Sequence, residues 1–224
     1  MKRRPSHELL DTDSGTPEEV AASLLDLRSF NLRFGGIATS RALVQRVAQA
    51  TGKVNFSLLE IASGEGFVPQ SVSTDLVSAG IRLEVTLLDR ALSHLPKNGF
   101  ARRLAGDALA LPFSDSSFDL VSCSLFVHHL SPEAAVAFAK EALRVCRLAV
   151  LVNDLIRHPL HLALAYAGSP WYRSRITRND APASVKQAYT TDEMRSFFQN
   201  ASADRVEVQR HFLYRMGVIA WKSA

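Results

Sequence analysis

Five points along the chain put polar or small residues directly after a short apolar run: Glu60 with Gly64 and Gly66, Asp89, Gly106-Asp107, Ser124 to His129, and Asn153-Asp154. Glycines allow a close backbone approach and positive φ, carboxylates accept hydrogen bonds from sugar hydroxyls or cations, and an imidazole can take a proton near neutral pH. Five such endings in one fold make a binding site for a polar, cationic or nucleoside-like molecule, with His128 and His129 as candidate bases. The loop Glu60-Ile61-Ala62-Ser63-Gly64-Glu65-Gly66 departs from the dinucleotide fingerprint. Pro69 stands where a third glycine is required, and Glu65 would repel a pyrophosphate. Asp89 and Asp107 read equally well as turn or helix caps.

The elements that must position these residues follow from hydrophobic period. Phe56–Ile61, Leu83–Leu88, 100–104, 118–126 and 148–152 read as strands, with helices between them. Strands alternating with helices predict an α/β, Rossmann-like, doubly wound and mostly parallel sheet, in which ligands bind beyond the carboxyl ends of the strands. Ser131-Pro132-Glu133 starts a helix to about Val145, and a short helix is expected after Asp89. Before the first strand, Thr16-Pro17-Glu18-Glu19 starts one helix and Gly35-Gly36 ends it; a second runs from about Thr39 to Ala50. After the fifth strand come a helix over 159–167, a loop-like stretch 168–189, a helix from Thr190, and two strands forming an antiparallel C-terminal hairpin. Residues 1–15 read as a flexible tail and 16–224 as a single domain.

The order Glu60-x-Ala62-x-Gly64-x-Gly66, Leu87-Leu88-Asp89, Gly106-Asp107-Ala108, then Leu111-Pro112-Phe113-Ser114-Asp115-Ser116-Ser117-Phe118-Asp119, resembles the class I S-adenosylmethionine-dependent methyltransferases, in the branch of the ubiquinone- and menaquinone-biosynthesis enzymes. The resemblance covers about residues 56–154. It implies a seven-stranded sheet, S-adenosylmethionine as cofactor and S-adenosylhomocysteine as product. By this likeness Glu60 sits near the cofactor's amino group or orders the loop. Ala62, Ser63, Gly64 and Gly66 surround the methionine end, Asp89 with Arg90 the ribose, Gly106, Asp107 and Ala108 the adenine, and Ser124 and Leu125 the sulfonium side. Ala62 departs from the family's usual glycine. The helices of 16–52 and the segment 155–189 are implied to cover a small-molecule acceptor, with Asn153, Arg157, Trp171 and Arg175 as expected contacts. O-methylation of a phenol- or carboxylate-like group is the first expectation and C-methylation the next; an RNA methyltransferase and a non-catalytic cofactor-binding module are the rivals.

Charge and composition narrow the class. With 47% hydrophobic and 21% charged residues the 224-residue chain has an ordinary globular composition. Two cysteines cannot form a disulfide framework, and no apolar run reaches membrane-spanning length; a cytoplasmic enzyme of secondary metabolism, monomeric or homodimeric, is the expectation. Residues 1–154 carry 16 basic and 17 acidic side chains, whereas 155–224 carry 10 and 5. The basic excess therefore belongs to the segment expected to cover the acceptor. It argues for an anionic or aromatic acceptor and against nucleic acid. His158 and His161 lie three apart on one helix without a third strong ligand at metal spacing, so no metal is expected.

Overall fold

In the computed structural model the described residues are 1–12, 14–90, 95 and 100–222. The short helix expected after Asp89 falls outside them. The elements are α1 (Pro17–Arg33), α2 (Gly36–Thr51), β1 (Asn55–Ile61), α3 (Phe67–Val77), β2 (Arg82–Asp89), β3 (Arg102–Ala105), β4 (Phe118–Ser124), α4 (Pro132–Val145), β5 (Cys146–Leu155), α5 (Pro159–Ala167), α6 (Arg175–Gln187), α7 (Thr191–Asn200), β6 (Arg205–His211) and β7 (Arg215–Trp221). The seven strands form one sheet in the order β3-β2-β1-β4-β5-β7-β6. β1 to β5 run parallel, and β7 lies antiparallel between β5 and β6.

Alternation along each strand separates two apolar layers, as expected for a sheet buried on both faces. Leu59 and Ile61 of β1, Val121 and Cys123 of β4, and Val150 and Val152 of β5 meet Phe138 and Ala142 of α4 and Met194 and Phe198 of α7. On the other face Phe56, Leu58, Leu120, Ala149 and Leu151 meet Leu43, Val44 and Val47 of α2 and Val72 and Leu76 of α3. Both cysteines are free and buried, and burial pushes the Cys146 thiol up to about 12.

Two segments differ from the sequence expectation. The stretch expected as a loop over 168–189 contains the thirteen-residue α6, capped by the Ser174 side chain on the Ile176 N–H. Its buried face carries Thr177, Asp180, Ser184 and Gln187 as well as Ile176, Ala183 and Val185, so no apolar stripe marks it. The expected flexible tail is docked on that polar face. The N–H groups of Leu9 and Leu10 donate to Asp180 at 2.9 and 3.0 Å, and Ser184 and Gln187 both donate to Glu8 at 2.6 Å. Arg3 donates to the carbonyls of Gln187, His128 and Leu130. Among the described residues no helix is long and apolar enough to cross a membrane.

Candidate active site at the carboxyl ends of the strands

The first loop turns tightly because three of its residues take left-handed φ: Ala62 at +52°, Gly64 at +49° and Gly66 at +70°. Glycine adopts this region freely, whereas an alanine pays for its Cβ there. The two glycines serve different purposes. A Cβ on Gly66 would lie 2.7 Å from Leu87 Cδ1, so this glycine permits close packing, while a Cβ on Gly64 would meet nothing within 4 Å. The open side of Gly64 is where a ligand can approach the backbone. Beside it the Ser63 hydroxyl is buried with no hydrogen-bond partner among the described residues, a group that an exogenous partner would satisfy. The Gly64 N–H donates to Asp89 Oδ2 at 2.8 Å, linking the end of β2 to the loop. Glu65 is paired with Arg28 of α1 at 2.5 Å, and the Arg28 guanidinium lies over the Phe67 ring. The loop's acid therefore meets a protein cation.

The ends of β2 and β3 lie side by side, with Asp89 opposite Ala105 and the Gly106 N–H on the Asp89 carbonyl. Asp107 caps its own turn through the Leu109 N–H at 2.9 Å, and Ala108 packs against the core. In β4, Ser124 pairs in register with Asn153, and Leu125 takes φ +55° while donating to the Asn153 carbonyl. Glu60 is buried beneath these ends, hydrogen-bonded by Ser122. Burial pushes its carboxyl up to about 7, against the opposing hydrogen bonds of Ser122 and Ser124. A cavity of about 20 Å³ bordered by Glu60, Ser122, Ser40 and Asn153 has room for about one water molecule.

His128 does not have the surroundings of a general base. It is 2% exposed, its Nδ1 is 2.6 Å from Asp154 Oδ1, and its Nε2 is 3.5 Å from Glu8 Oε1. Burial alone would lower its affinity for a proton, but the Asp154 and Glu8 carboxylates overcome that and push it up to about 10. A buried imidazole with a carboxylate beside each nitrogen presents no open face to an acceptor. His129 is partly exposed, with Nδ1 2.9 Å from Asp11 Oδ2. His161 is different: its Nδ1 lies 3.0 Å from the Ile156 carbonyl, which can only accept, so Nε2 is bare in the neutral ring. Burial lowers the His161 pKa below its ordinary value. His158 and His161 both stack on Tyr214.

The expected acceptor contacts are mostly held by protein partners. Asn153 donates to the Gly36 carbonyl and Ser40, and accepts from Arg215. Arg157 is bound to Glu193 and the Ala188 carbonyl, and Arg175 to Glu19 of α1. Arg173 pairs with Asp26, also on α1. The basic excess of 155–224 thus serves in part to dock α6 on α1. Trp171 remains 80% exposed. The sequence reading missed three groups. Glu8 gives no periodic signal. Arg28 lies on an unremarkable helix face. Arg215 opens a strand, yet it is buried and bonded by the Phe34 carbonyl, Asn153 and Asn31.

A parallel sheet with a Gly-rich first turn, an acid at the end of the second strand and one antiparallel strand inserted near the far edge defines the Rossmann-like methyltransferase architecture. Residues 59–149 match the family model described as a methyltransferase domain. The demethylmenaquinone methyltransferase of Renibacterium salmoninarum is 36% identical over 144 residues, 58% of this chain and 55% of that protein. The chain thus spans just over half the length of this curated relative. Among solved structures, the plantazolicin methyltransferase BpumL in complex with S-adenosylhomocysteine superposes with a TM-score of 0.71 at 10% identity, over 97% of this chain and 95% of that one. A methyltransferase from Methanosarcina mazei gives 0.53 at 17% identity over 76% and 93%. At these identities the structures establish the fold. The orphaned Ser63 hydroxyl and the open face of Gly64 fit the cofactor that this domain family uses.

Proposed function

We propose that the protein transfers the methyl group of S-adenosylmethionine to a small-molecule acceptor in the cytoplasm, releases S-adenosylhomocysteine, and methylates a phenolic or carboxylate oxygen. The observation that carries this reading is the ligand-ready surface of Ser63 and Gly64 beside Asp89. In it Ala62 to Gly66 hold the methionine end with Glu60 beneath, Asp89 and Arg90 the ribose, Gly106 to Ala108 the adenine, and Ser124 and Leu125 the sulfonium side. Methyl transfer from a sulfonium is an in-line displacement, so holding the acceptor and excluding water supply much of the rate. The cover is built for an aromatic guest: Phe30 stacks with Phe34 and meets Tyr172 edge-on, and the α1 side chains Val20, Leu24, Leu27 and Phe30 stay only partly buried. His161, bare at Nε2, takes the acceptor's proton in place of His128. Carbon methylation of a similar acceptor is the second reading, favoured by the likeness to a demethylmenaquinone methyltransferase.

The test is incubation with isotope-labelled S-adenosylmethionine and a panel of phenols, hydroxyquinones and aromatic acids, with products placed as O- or C-methyl by mass spectrometry and NMR. A labelled methyl ether or ester, lost in His161→Asn while S-adenosylhomocysteine still binds, is the expected result. Absence of cofactor binding by calorimetry would overturn the reading, and a C-methyl product would transfer it to the second one.

A further inference from the structure

The geometry points to a binding site for a divalent transition-metal ion of the zinc class at the junction of the N-terminal segment and the 3₁₀ turn Val127–His129, with Glu8, His128 and His129 as its protein ligands. One carboxylate oxygen of Glu8 and one ring nitrogen from each histidine lie within 4.8 Å of one another. The two imidazoles are neighbours, with ring centroids 4.1 Å apart. Each is held on Nδ1 by a carboxylate, His128 by Asp154 at 2.6 Å and His129 by Asp11 at 2.9 Å. Metal-binding histidines almost always carry such a carboxylate or carbonyl on the nitrogen that does not bind the metal, because it fixes the tautomer and raises ligand basicity.

The remaining contact of His128 is too long for a strong charge-assisted hydrogen bond. Nε2 and Glu8 Oε1 are 3.5 Å apart, whereas such bonds run about 2.7–2.9 Å. Two donors each about 2.0–2.1 Å from a tetrahedral metal stand about 3.3–3.4 Å from one another. The charge count agrees. Glu8, Asp11 and Asp154 converge on two imidazoles; the charge of Arg215 acts on Asp154, though its guanidinium is hydrogen-bonded to Phe34, Asn153 and Asn31, and Arg3 gives the hydrogen bonds described above to backbone carbonyls. A proton on His128 offsets one of three negative charges, and a divalent ion in its place offsets two. Imidazole and carboxylate donors suit zinc and its neighbours better than magnesium or calcium. Three protein donors leave one position of a tetrahedral ion for water or another small ligand. Such an ion would clamp the chain's first dozen residues to the end of β4.

The experiment is calorimetric titration of the tag-free, chelator-treated full chain with Zn²⁺, with thermal unfolding in parallel. One Zn²⁺ per chain at a Kd of about 10 µM or tighter is expected, with a raised Tm and about 10-fold or greater weakening in both Glu8→Gln and His129→Gln. His129 is partly exposed, so its variant keeps the test open if the Glu8 variant folds poorly. The double variant His158→Gln/His161→Gln is expected to bind Zn²⁺ like the unaltered chain. Absence of stoichiometric binding up to about 100 µM Zn²⁺ would overturn the site, leaving a protonated His128 between its carboxylates. Equal affinity in the Glu8 and His129 variants would overturn it too, by placing the ion elsewhere.

Discussion

Single residues carry identifiable costs. Ala62 sits at φ +52° in the loop after β1, a conformation that costs an L-residue about 1 kcal/mol or more. Ala62→Gly is therefore expected to raise stability by about 0.5–1 kcal/mol in urea unfolding. A loss of stability would show that the loop is not strained there. The Thr39 hydroxyl is buried without a partner among the described residues, so Thr39→Val should be neutral or stabilising by up to about 1 kcal/mol. Destabilisation beyond that would reveal a hidden partner. Glu60 gives a pH signature. An unfolded glutamate loses its proton near 4.5, whereas the buried one holds it until about 7. Between those values the folded state binds more protons, so this group makes stability fall as pH rises from 4.5 through 7, by at most about 3 kcal/mol. The stability difference between Glu60→Gln and the unaltered chain should grow in favour of the variant across that window and flatten above it.

At the scale of elements, the junction of α1, α2 and β7 depends on Arg215. Its guanidinium reaches Phe34, Asn31 and Asn153 from the first residue of β7. Burial pulls it down to about 10, with Asp154 opposing. Arg215→Met should leave these oxygens unpaired in the interior and cost about 2–4 kcal/mol in denaturant unfolding. A change under 1 kcal/mol would mean that water replaces the guanidinium. The strands were legible because β1, β4 and β5 are buried on both faces and read as apolar runs. The starts of α1 and α7 were legible because each has a Thr-x-x-Glu capping box. α6 was not: its partners are polar groups of the N-terminal segment and α1, and hydropathy cannot register a face satisfied by hydrogen bonds.

Across the whole molecule, the N-terminal segment and α6 close over the carboxyl edge of the sheet. Residues 1–12 contribute Glu8 to the His128 cluster and Arg3 to the turn that follows β4. A chain lacking them should unfold at a lower temperature by roughly 5–10 °C, with His128 and the polar face of α6 opened to water. An unchanged Tm would show that the segment adds no stability. The ion pairs Arg173–Asp26 and Arg175–Glu19 that join α6 to α1 have exposed arginines and are screened by salt; they orient the cover more than they stabilise it.

The sequence by itself determined the alternating sheet, the positions of the strand ends and the loop–acid–turn order that marks a methyltransferase domain, because these rest on local period and on residues close together in the chain. Only the tertiary structure decided what each polar side chain does. His128 became a buried tie between two carboxylates because Asp154, 26 residues away, and Glu8, 120 residues away, converge on it. The basic residues of the cover found carboxylates on α1. A side chain's protonation and availability depend on partners and burial that no spacing encodes.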